Sequence, residues 1–372
     1  MSNRKNVLKG DPIPWLLEPD NPSVRYLTLR HLLRQPKDHP EVRAARAAIP
    51  RSRMVERIFA RQAHDDFWGD RASPYQPKYK ASYWTLMVLG HLGLSREDER
   101  VQRAVEYIFR FQQSVGGFAG FGEEGARQEY LYKVQKARER GKKLLPESAF
   151  VADLIHQMTL SCLAGNVVAA LLRLGYDDDP RLWRAVDWLV SIQNADGGWL
   201  CPYWKAHVKD THSCFHGTIC VLEAFAEIPD DKRPPAVQEA AARGAEFLLV
   251  HRLYRADHHD FQIINPHWLK LAFPWFYGYS ILRGLWVLTR LGCRGERMED
   301  ALAVLREKQT PEGKWVLEST PYGRMQANLE KKGQPSKWVT LKALWVLQKV
   351  HKLRAMASRT ASAARLGSPT LL

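Results

Sequence analysis

Apolar residues recur at spacings of three and four along most of the chain, which is the spacing of amphipathic helices. We find no segment with the sustained alternation of apolar and polar residues that predicts a half-buried strand. From Met54 onwards, a long-period repeat dominates the pattern. Each unit holds an amphipathic segment that often ends in Gln, then a glycine–aromatic turn, then a second and more apolar segment. The turns read HDDFWG (64–69), VGGFAG (115–120), DGGW (196–199) and EGKW (312–315).

This repeat predicts an all-α fold built from about five helical hairpins. The repeats occupy residues 54–351, and in the fourth unit the segment RADHHDF (255–261) replaces the glycine turn. Residues 1–53 form an N-terminal helical extension, with a helix that begins at Asp20-Asn21-Pro22. Two segments fall outside the repeat: a charged insertion at residues 122–148 and a basic segment at residues 352–372, which we predict to be a disordered tail.

Composition narrows the list of partners. The chain has 372 residues, enough for one large globular domain, and a formal net charge of +15. Such a charge is typical of proteins that bind nucleic acid or anionic membranes. The basic residues are spread along the chain without a nucleic-acid-binding signature, so nucleic acid is not an expected partner. Peripheral contact with an anionic membrane stays open.

Cysteine usage and apolar runs bear on location. Five cysteines are an odd number in a long chain, and no secretory signal begins the sequence. Reduced thiols and a cytoplasmic location are therefore expected, with the membrane surface as an alternative site. The most apolar window, residues 271–282, is too short to span a bilayer. The sequence does not indicate the oligomeric state.

Three of the turns carry a longer motif in which Gln precedes the glycine and the aromatic residue. They read FQQSVGGF (111–118), IQNADGGW (192–199) and KQTPEGKW (308–315). This motif resembles the repeats of the squalene/hopene cyclase and protein prenyltransferase superfamily, of which the chain is identified as a divergent member over residues 54–350. The resemblance implies an α/α toroid of five to six hairpins, in which inner helices line a central cavity. An apolar or isoprenoid-like ligand would occupy that cavity, and no nucleotide cofactor is expected.

The catalytic motifs of the superfamily are altered in this chain. It lacks both the Asp-x-Asp-Asp acid of the class II cyclases and the DDxxD cluster of class I enzymes. Where the prenyltransferases bind zinc through Asp-x-Cys, this sequence reads His212-Ser213-Cys214, and Tyr277 lies near the position of their histidine ligand. We favour an enzyme of this superfamily in the broad sense but assign no reaction, because a fold does not determine a function.

The third repeat unit differs from the others in the potential metal ligands that follow its turn. Cys201, His212, Cys214 and His216 lie there, and Cys162 occupies the register of Cys214 one repeat earlier. Thiolates and imidazoles bind zinc, so these five side chains predict a zinc site at one mouth of the cavity. His212, Cys214 and His216 are also the candidate catalytic groups, with or without metal. Core packing and helix capping explain the same residues equally well.

Aromatic residues begin several of the second segments. We expect Trp84, Trp275, Tyr277 and Tyr279 to line the cavity, where ring faces hold apolar chains and stabilise cations. Packing between helices is an equally good explanation of these rings.

Three functions therefore remain open. The leading one is a terpenoid cyclase-like or prenyltransferase-like protein that binds an isoprenoid-like ligand. The second is a zinc-dependent toroid enzyme for hydrolysis or thiol chemistry. It would resemble the lanthionine-forming cyclases, although their Trp-Cys-x-Gly and Cys-His-Gly motifs are missing. The third is a non-catalytic binding or scaffold protein whose side chains fill the cavity.

Overall fold

The computed structural model describes residues 8–321 and 323–366. A π-helical turn, Thr28–Leu32, and short 3₁₀ turns at Asp230–Lys232, Pro266–Leu269 and Glu296–Met298 accompany the α-helices. The short strands β1 (Arg255–Ala256) and β2 (Gln262–Ile263) pair antiparallel in the fourth repeat unit. The α-helices are, in chain order, α1 (Ile13–Leu16), α2 (Pro22–Leu27), α3 (Pro40–Ala48), α4 (Arg53–Phe59), α5 (Ser82–Leu92), α6 (Glu99–Phe109), α7 (Glu123–Glu139), α8 (Glu147–Gln157), α9 (Ser161–Arg173), α10 (Pro180–Ser191), α11 (Phe215–Glu227), α12 (Pro235–Val250), α13 (Ile281–Arg290), α14 (Glu299–Glu307) and α15 (Lys337–Leu366).

The more apolar helices form an inner ring. They contact one another in the order α5, α9, α11, α13 and α15. The amphipathic helices form an outer layer, in which α4 and α6 pack against α5, α10 against α9, α12 against α11 and α14 against α13. Each amphipathic helix turns its apolar face to the inner ring and its polar face to solvent. This arrangement confirms the predicted α/α toroid.

The N-terminal extension joins the last inner helix to the first. α1, α2 and the π-helical turn all pack against α15, and Gln348 Nε2 of α15 donates to the carbonyl oxygen of Leu32 at 3.2 Å. From α3, Arg46 donates to the carbonyl of Gly93 at the end of α5. Helix α2 begins where the sequence predicts, because Asn21 caps it by accepting a backbone N–H at 3.1 Å.

The repeated glutamine holds each glycine–aromatic turn in place. Its side-chain amide donates to the carbonyl oxygen of the glycine four residues later, so the motif closes on itself. The glycines have φ angles of +105°, +89° and +79°, a left-handed conformation that glycine adopts without strain. The donor–acceptor pairs are Gln112–Gly116 (2.9 Å), Gln193–Gly197 (2.6 Å) and Gln309–Gly313 (3.2 Å).

The repeated tryptophan anchors each turn to its own outer helix. Trp68, Trp199 and Trp315 are fully buried. Each indole N–H donates to a helix carbonyl ten residues earlier, at distances of 2.9, 2.7 and 2.7 Å. A buried indole needs such an acceptor, and the fixed spacing supplies it in every copy. These tryptophans are therefore architectural.

Two segments lie outside the hairpins. The charged insertion forms α7 and α8, which pack against each other. Helix α15 continues to Leu366, so the backbone of residues 352–366 is helical where the sequence predicted a disordered tail, and residues 367–372 lie outside the described residues. Within the described chain, none of the helices combines the length and apolar character needed to cross a membrane. Peripheral membrane contact stays a prediction.

Candidate functional site

Charged side chains fill the centre of the ring. Two carboxylates lie one helical turn apart on α11, and they face guanidinium groups from the neighbouring inner helices α9 and α13. Ion pairs join them at hydrogen-bond distances, which partly offsets the cost of burying the charges. We call these five side chains the central network. The pairs are Glu223–Arg283 (2.6 Å), Glu227–Arg173 (2.6 Å), Glu227–Arg290 (2.5 Å) and Glu223–Arg173.

The central network holds both carboxylates in the ionised state. Burial alone would raise the pKa of Glu223, but the charges of Arg283 and Arg173 outweigh it and lower the pKa to about 2. Burial opposes ionisation of Glu227 as well, and Arg173 and Arg290 lower its pKa to about 2. At neutral pH neither carboxyl group carries a proton, so neither can act as a general acid.

Little free space remains beside the central network. A cavity of about 10 Å³ is bordered by Met87, His91, Asn166, Pro274 and Trp275 together with network residues. One water molecule already needs about 10–15 Å³. This cavity beside the central network is therefore too small for an isoprenoid chain.

A larger cavity, of about 700 Å³, lies where α5, α9, α11 and α13 end, beneath the N-terminal extension. We call it the basic cavity. Apolar side chains, chiefly indoles, form part of its wall, and charged side chains form the rest. The apolar residues are Tyr26, Leu27, Val42, Trp286, Trp338, Leu341 and Trp345. The cationic residues are Lys37, Arg43, Arg46, Arg173, Arg290 and Lys342, against the acidic Glu97 and Glu227, with His31 and His91 beside them.

The sequence motifs do not indicate the central network or the basic cavity. A signal for them is nevertheless present in the inner segments, where a single charged residue interrupts an otherwise apolar run. The segments TICVLEAF, YSILRGLW and VTLKALW each contain one such residue, at Glu223, Arg283 and Lys342. Charged residues are almost never fully buried unless they are paired, so such an interruption indicates either a buried partner or a functional group.

The opposite end of the ring holds the cysteines predicted as metal ligands. Cys162 Sγ and Cys201 Sγ lie 3.8 Å apart, and the backbone N–H of Cys201 donates to His207 Nδ1 at 3.3 Å. The hydrogen bond with Cys162 lowers the pKa of the Cys201 thiol, and a hydrogen bond with His207 lowers it further. The bond between the two cysteines raises the pKa of Cys162. The structure therefore brings together two of the five predicted ligands.

The other three predicted ligands make separate contacts. Cys214 caps α11, where its thiol accepts the N–H of Gly217 at 3.1 Å, and burial raises its pKa to about 11. His212 is exposed, and its Nδ1 lies 2.8 Å from the carbonyl oxygen of its neighbour in sequence. His216 Nδ1 lies 2.9 Å from the carbonyl oxygen of Tyr277.

In the structure, these five side chains do not converge on one point. In the part of the chain that the structure describes, no group of three or more His, Cys, Asp or Glu is arranged to hold a metal ion. Tetrahedral zinc needs about four convergent N or S ligands. Neither the metal nor the catalytic role of His212, Cys214 and His216 is tested by the geometry, so both stay predictions, and we derive no step through a metal.

The four aromatic residues predicted to line the cavity lie in different surroundings. Trp275 borders the small central cavity. Trp84 and Tyr277 belong to an aromatic cluster near the turns, with ring centroids 6.1 Å apart. Tyr279 donates to the carbonyl oxygen of Leu253 at 2.6 Å and is buried. Of the four, Trp275 is the one that approaches the central network.

Comparison with known proteins shows which family part of the sequence resembles. Residues 95–247 match the squalene-hopene cyclase C-terminal domain. A squalene–hopene cyclase from Bradyrhizobium diazoefficiens is 31% identical over 135 residues. Residues 95–247 are therefore similar in sequence to the squalene-hopene cyclase family. The alignment covers 34% of this chain and 19% of the relative, so the chain spans about a fifth of the length of the curated cyclase that it matches.

Solved structures with similar architecture include the type II terpene cyclase MstE from Scytonema. It is 18% identical, covers 90% of this chain and 89% of its own, and gives a TM-score of 0.44. A protein from Actinoplanes is 16% identical with a TM-score of 0.43, and the match covers 89% of this chain and 90% of that protein. A variant of MstE in complex with geranylgeranyl dihydroxybenzoate (substrate) is 18% identical, with a TM-score of 0.41 and coverage of 90% and 88%.

The segment that matches the cyclase family contains three of the five residues of the central network. Arg173, Glu223 and Glu227 lie within residues 95–247. Arg283 and Lys342 lie beyond its end, on the last two inner helices, α13 and α15. The sequence match therefore covers one side of the central network and leaves most of the basic cavity wall outside it.

Proposed function

We propose that this terpenoid cyclase-like protein binds an isoprenoid-like ligand in the basic cavity, with an anionic group of the ligand against the cationic wall. The size and lining of the basic cavity carry this proposal. The similarity of residues 95–247 to the squalene-hopene cyclase family supports an isoprenoid-like chain as the apolar part of the ligand.

The apolar wall suits a branched hydrocarbon chain. A volume of about 700 Å³ falls within the range of about 300–1,000 Å³ that is usual for ligand sites. The indoles of Trp286 and Trp345 line the cavity with their ring centroids 4.5 Å apart, and both are only partly buried. Ring faces pack against apolar chains and also attract cationic centres.

The polar wall suits an anion. Six cationic side chains and two acidic ones line the basic cavity, and Glu227 already pairs with Arg173 and Arg290. The remaining excess of positive charge favours a phosphate, diphosphate or carboxylate group. Arg43 and Lys37 are exposed, which places part of this charge where an incoming anion would meet it.

A non-catalytic binding protein is the second candidate, and the state of the carboxylates favours it. Protonation of an alkene needs an undissociated acid in contact with the ligand. Glu227 is the central-network acid that also lines the basic cavity, and its pKa of about 2 keeps it ionised at neutral pH. Binding and catalysis therefore have to be measured separately.

Titration of farnesyl diphosphate and geranylgeranyl diphosphate tests the proposal. We expect both to bind at least about tenfold more tightly than geranylgeraniol, which lacks the charge, and inorganic diphosphate, which lacks the chain. Trp345→Ala removes one indole from the wall and should weaken binding by about tenfold or more. Gas chromatography of the extracted ligand then shows whether it has been cyclised or returned unchanged.

Trp204→Ala is the matched control. Trp204 is also a partly exposed tryptophan, but it lies after the third turn, at the other end of the ring, against His207. Its replacement should leave the dissociation constants unchanged. Absence of binding, or equal losses in the two variants, would contradict a ligand site in the basic cavity.

A further inference from the structure

Lys342 stands out among the buried cations of the ring. It lies on the second turn of α15 and lines the basic cavity, although only 5% of it is exposed. Its Nζ is placed over three aromatic rings, at 4.1 Å from the centroid of Trp286, 4.6 Å from Trp275 and 5.2 Å from Phe273. The side chain is therefore held in a box of ring faces that opens towards the cavity.

Unlike its neighbours, this ammonium group has no ionic partner. In the described part of the chain, no carboxylate, hydroxyl or amide forms a hydrogen bond or ion pair with Lys342 Nζ, whereas Arg283 and Arg290 each have one. Lys337 lies five residues earlier on the same helix and is equally buried, but it pairs with Glu18 at 2.8 Å. An unpaired cation in a dry site costs free energy, and such a residue is more often functional than structural.

Burial makes the amine available as a nucleophile. Loss of solvation, followed by the charge of Arg173, lowers the pKa of Lys342 to about 7, against an ordinary value of 10.5. The three rings act in the opposite direction, because ring faces favour the charged form. Slightly above neutral pH a substantial share of Lys342 is unprotonated, which is the form that attacks carbonyl groups.

We propose that Lys342 condenses with an aldehyde group of an isoprenoid-like ligand in the basic cavity, and that the rings of Phe273, Trp275 and Trp286 hold the resulting protonated imine. The inference rests on the proposed function, since the ligand has to enter the same cavity. It adds a reactive group and a chemical class of ligand that binding alone does not require.

The condensation balances without an oxidant or a reductant. The lone pair of the neutral Nζ adds to the aldehyde carbon and the carbonyl π electrons move to the oxygen. The proton that the nitrogen then loses passes through solvent to that oxygen, which gives a neutral carbinolamine. Loss of that oxygen as water, with one further proton from solvent, leaves a C=N double bond with a protonated nitrogen. The product is a cation, and the ring faces that surround Nζ favour a cation at this position.

Two buried donors next to Lys342 support an acceptor-bearing ligand. Within the described residues, the indole N–H groups of Trp275 and Trp286 are buried without a hydrogen-bond partner. Buried donors are nearly always satisfied, so two unsatisfied ones beside an unpaired amine indicate a polar group that is bound during function. The oxygen of a carbonyl or of a carbinolamine accepts hydrogen bonds of this kind.

Reductive trapping tests the inference on the full chain. The protein is incubated at pH 8 with citronellal, and sodium cyanoborohydride is added. Citronellal is an isoprenoid aldehyde without an α,β-double bond, so it does not undergo conjugate addition to cysteine. We expect close to one reduced adduct per chain, located on Lys342 by peptide mass spectrometry. Lys342→Met and Lys342→Arg should each lower the adduct yield at least tenfold, and circular dichroism verifies that both remain folded.

Lys349→Met is the matched control, because Lys349 lies on the same helix with its Nζ 5.7 Å from the centroid of Trp345. It should leave the yield unchanged. Adducts spread over several lysines, or no adduct on Lys342 while the diphosphates still bind, would overturn the imine and leave the proposed function intact. Failure of both the diphosphates and citronellal to bind would overturn the proposed function, and the imine with it.

Discussion

The two ends of the ring use polar groups in different ways. At the turn end, hydrogen bonds join residues that are close in sequence, such as Gln193 and Gly197, and they mostly satisfy backbone groups. At the cavity end, ion pairs join residues 50 to 63 positions apart, such as Arg173 with Glu223 and Arg290 with Glu227. The turn end is built by local motifs, and the cavity end is built by the closure of the ring.

This difference separates architecture from function. The turn end repeats the same contacts in several copies, so its glycines and tryptophans hold the hairpins together wherever they occur. At the cavity end the charged residues differ between neighbouring inner helices, with glutamates on α11, arginines on α9 and α13, and Lys342 on α15. A feature that occurs once in a repeat protein does not follow from the needs of the repeat, and it is the better candidate for ligand binding.

Glu223→Gln tests the cavity end and has the largest expected effect. It leaves Arg283 and Arg173 without one of their buried carboxylate partners. Loss of one partner of a buried pair costs about 3–5 kcal/mol, so we expect the free energy of unfolding to fall by that amount. Urea denaturation followed by circular dichroism measures the change.

Glu246→Gln is the corresponding control. Glu246 also pairs with an arginine, Arg297, at 2.6 Å, but both side chains are about half exposed. An exposed pair is worth about 0–1 kcal/mol. If the two variants lost similar amounts, the central network would not be the dry, tightly coupled site described above.

Gly197→Ala tests the turn end. Gly197 has φ +89°, and a Cβ there would lie 2.6 Å from the carbonyl oxygen of Arg243 on the next outer helix. Strain and overlap together should lower the free energy of unfolding by about 2–4 kcal/mol. Gly333→Ala separates the two causes, since Gly333 has φ +81° with open space around it. Gly333→Ala should lower the free energy of unfolding by about 1 kcal/mol. If Gly197→Ala lowered it by the same amount, overlap with α12 would contribute nothing.

Lys342→Met compares two buried lysines on one helix. Replacing an unpaired buried cation by an apolar side chain of similar length should stabilise the protein at pH 7 by about 1–3 kcal/mol. Lys337→Met removes the partner of Glu18 and Asp20, and it should destabilise by about 1 kcal/mol. Opposite signs in thermal denaturation are the expected outcome, and a loss in both variants would show that Lys342 is a structural residue.

The stability difference between Lys342→Met and the unchanged protein should depend on pH. The pKa of Lys342 is lowered to about 7 in the folded chain, against 10.5 in the unfolded chain. Between these values the unfolded chain binds a proton that the folded chain does not, so stability rises with pH over this window. The advantage of Lys342→Met over the unchanged protein should therefore shrink from pH 7 to pH 10. A difference that stays constant would mean that Lys342 has an ordinary pKa.

The sequence predicts the fold because its determinants are local. The Gln, Gly and Trp of one turn lie within a few residues of one another and contact one another, so the motif describes the structure directly. Helix α2 begins at the predicted cap for the same reason. Helix α15 runs past the predicted boundary to Leu366, since the Ala-rich and Arg-rich segment there favours a helix without needing a buried face.

The sequence does not predict the cavity end, because no short segment contains it. Glu223 pairs with Arg283 on another inner helix, and the two residues come together only when the ring is folded. The cysteines and histidines after the third turn attracted the zinc prediction by residue type, and the structure gives them separate contacts with caps and carbonyls. Residue type alone pointed to candidate metal ligands at the turn end. The geometry instead points to the charged residues within the inner helices as the candidate functional groups.

Removal of metal has the smallest expected effect and tests the turn end directly. Since no described group of side chains at this end is arranged to hold a metal ion, EDTA should change the free energy of unfolding by less than about 0.5 kcal/mol, whereas structural zinc contributes several kcal/mol or more. Protein purified without chelators should contain well under one zinc per chain, with the same content in His212→Ala/Cys214→Ala. Stoichiometric zinc that disappears in this double variant would mean that the cysteines and histidines converge on metal binding, and the turn end would then be the functional end of the ring.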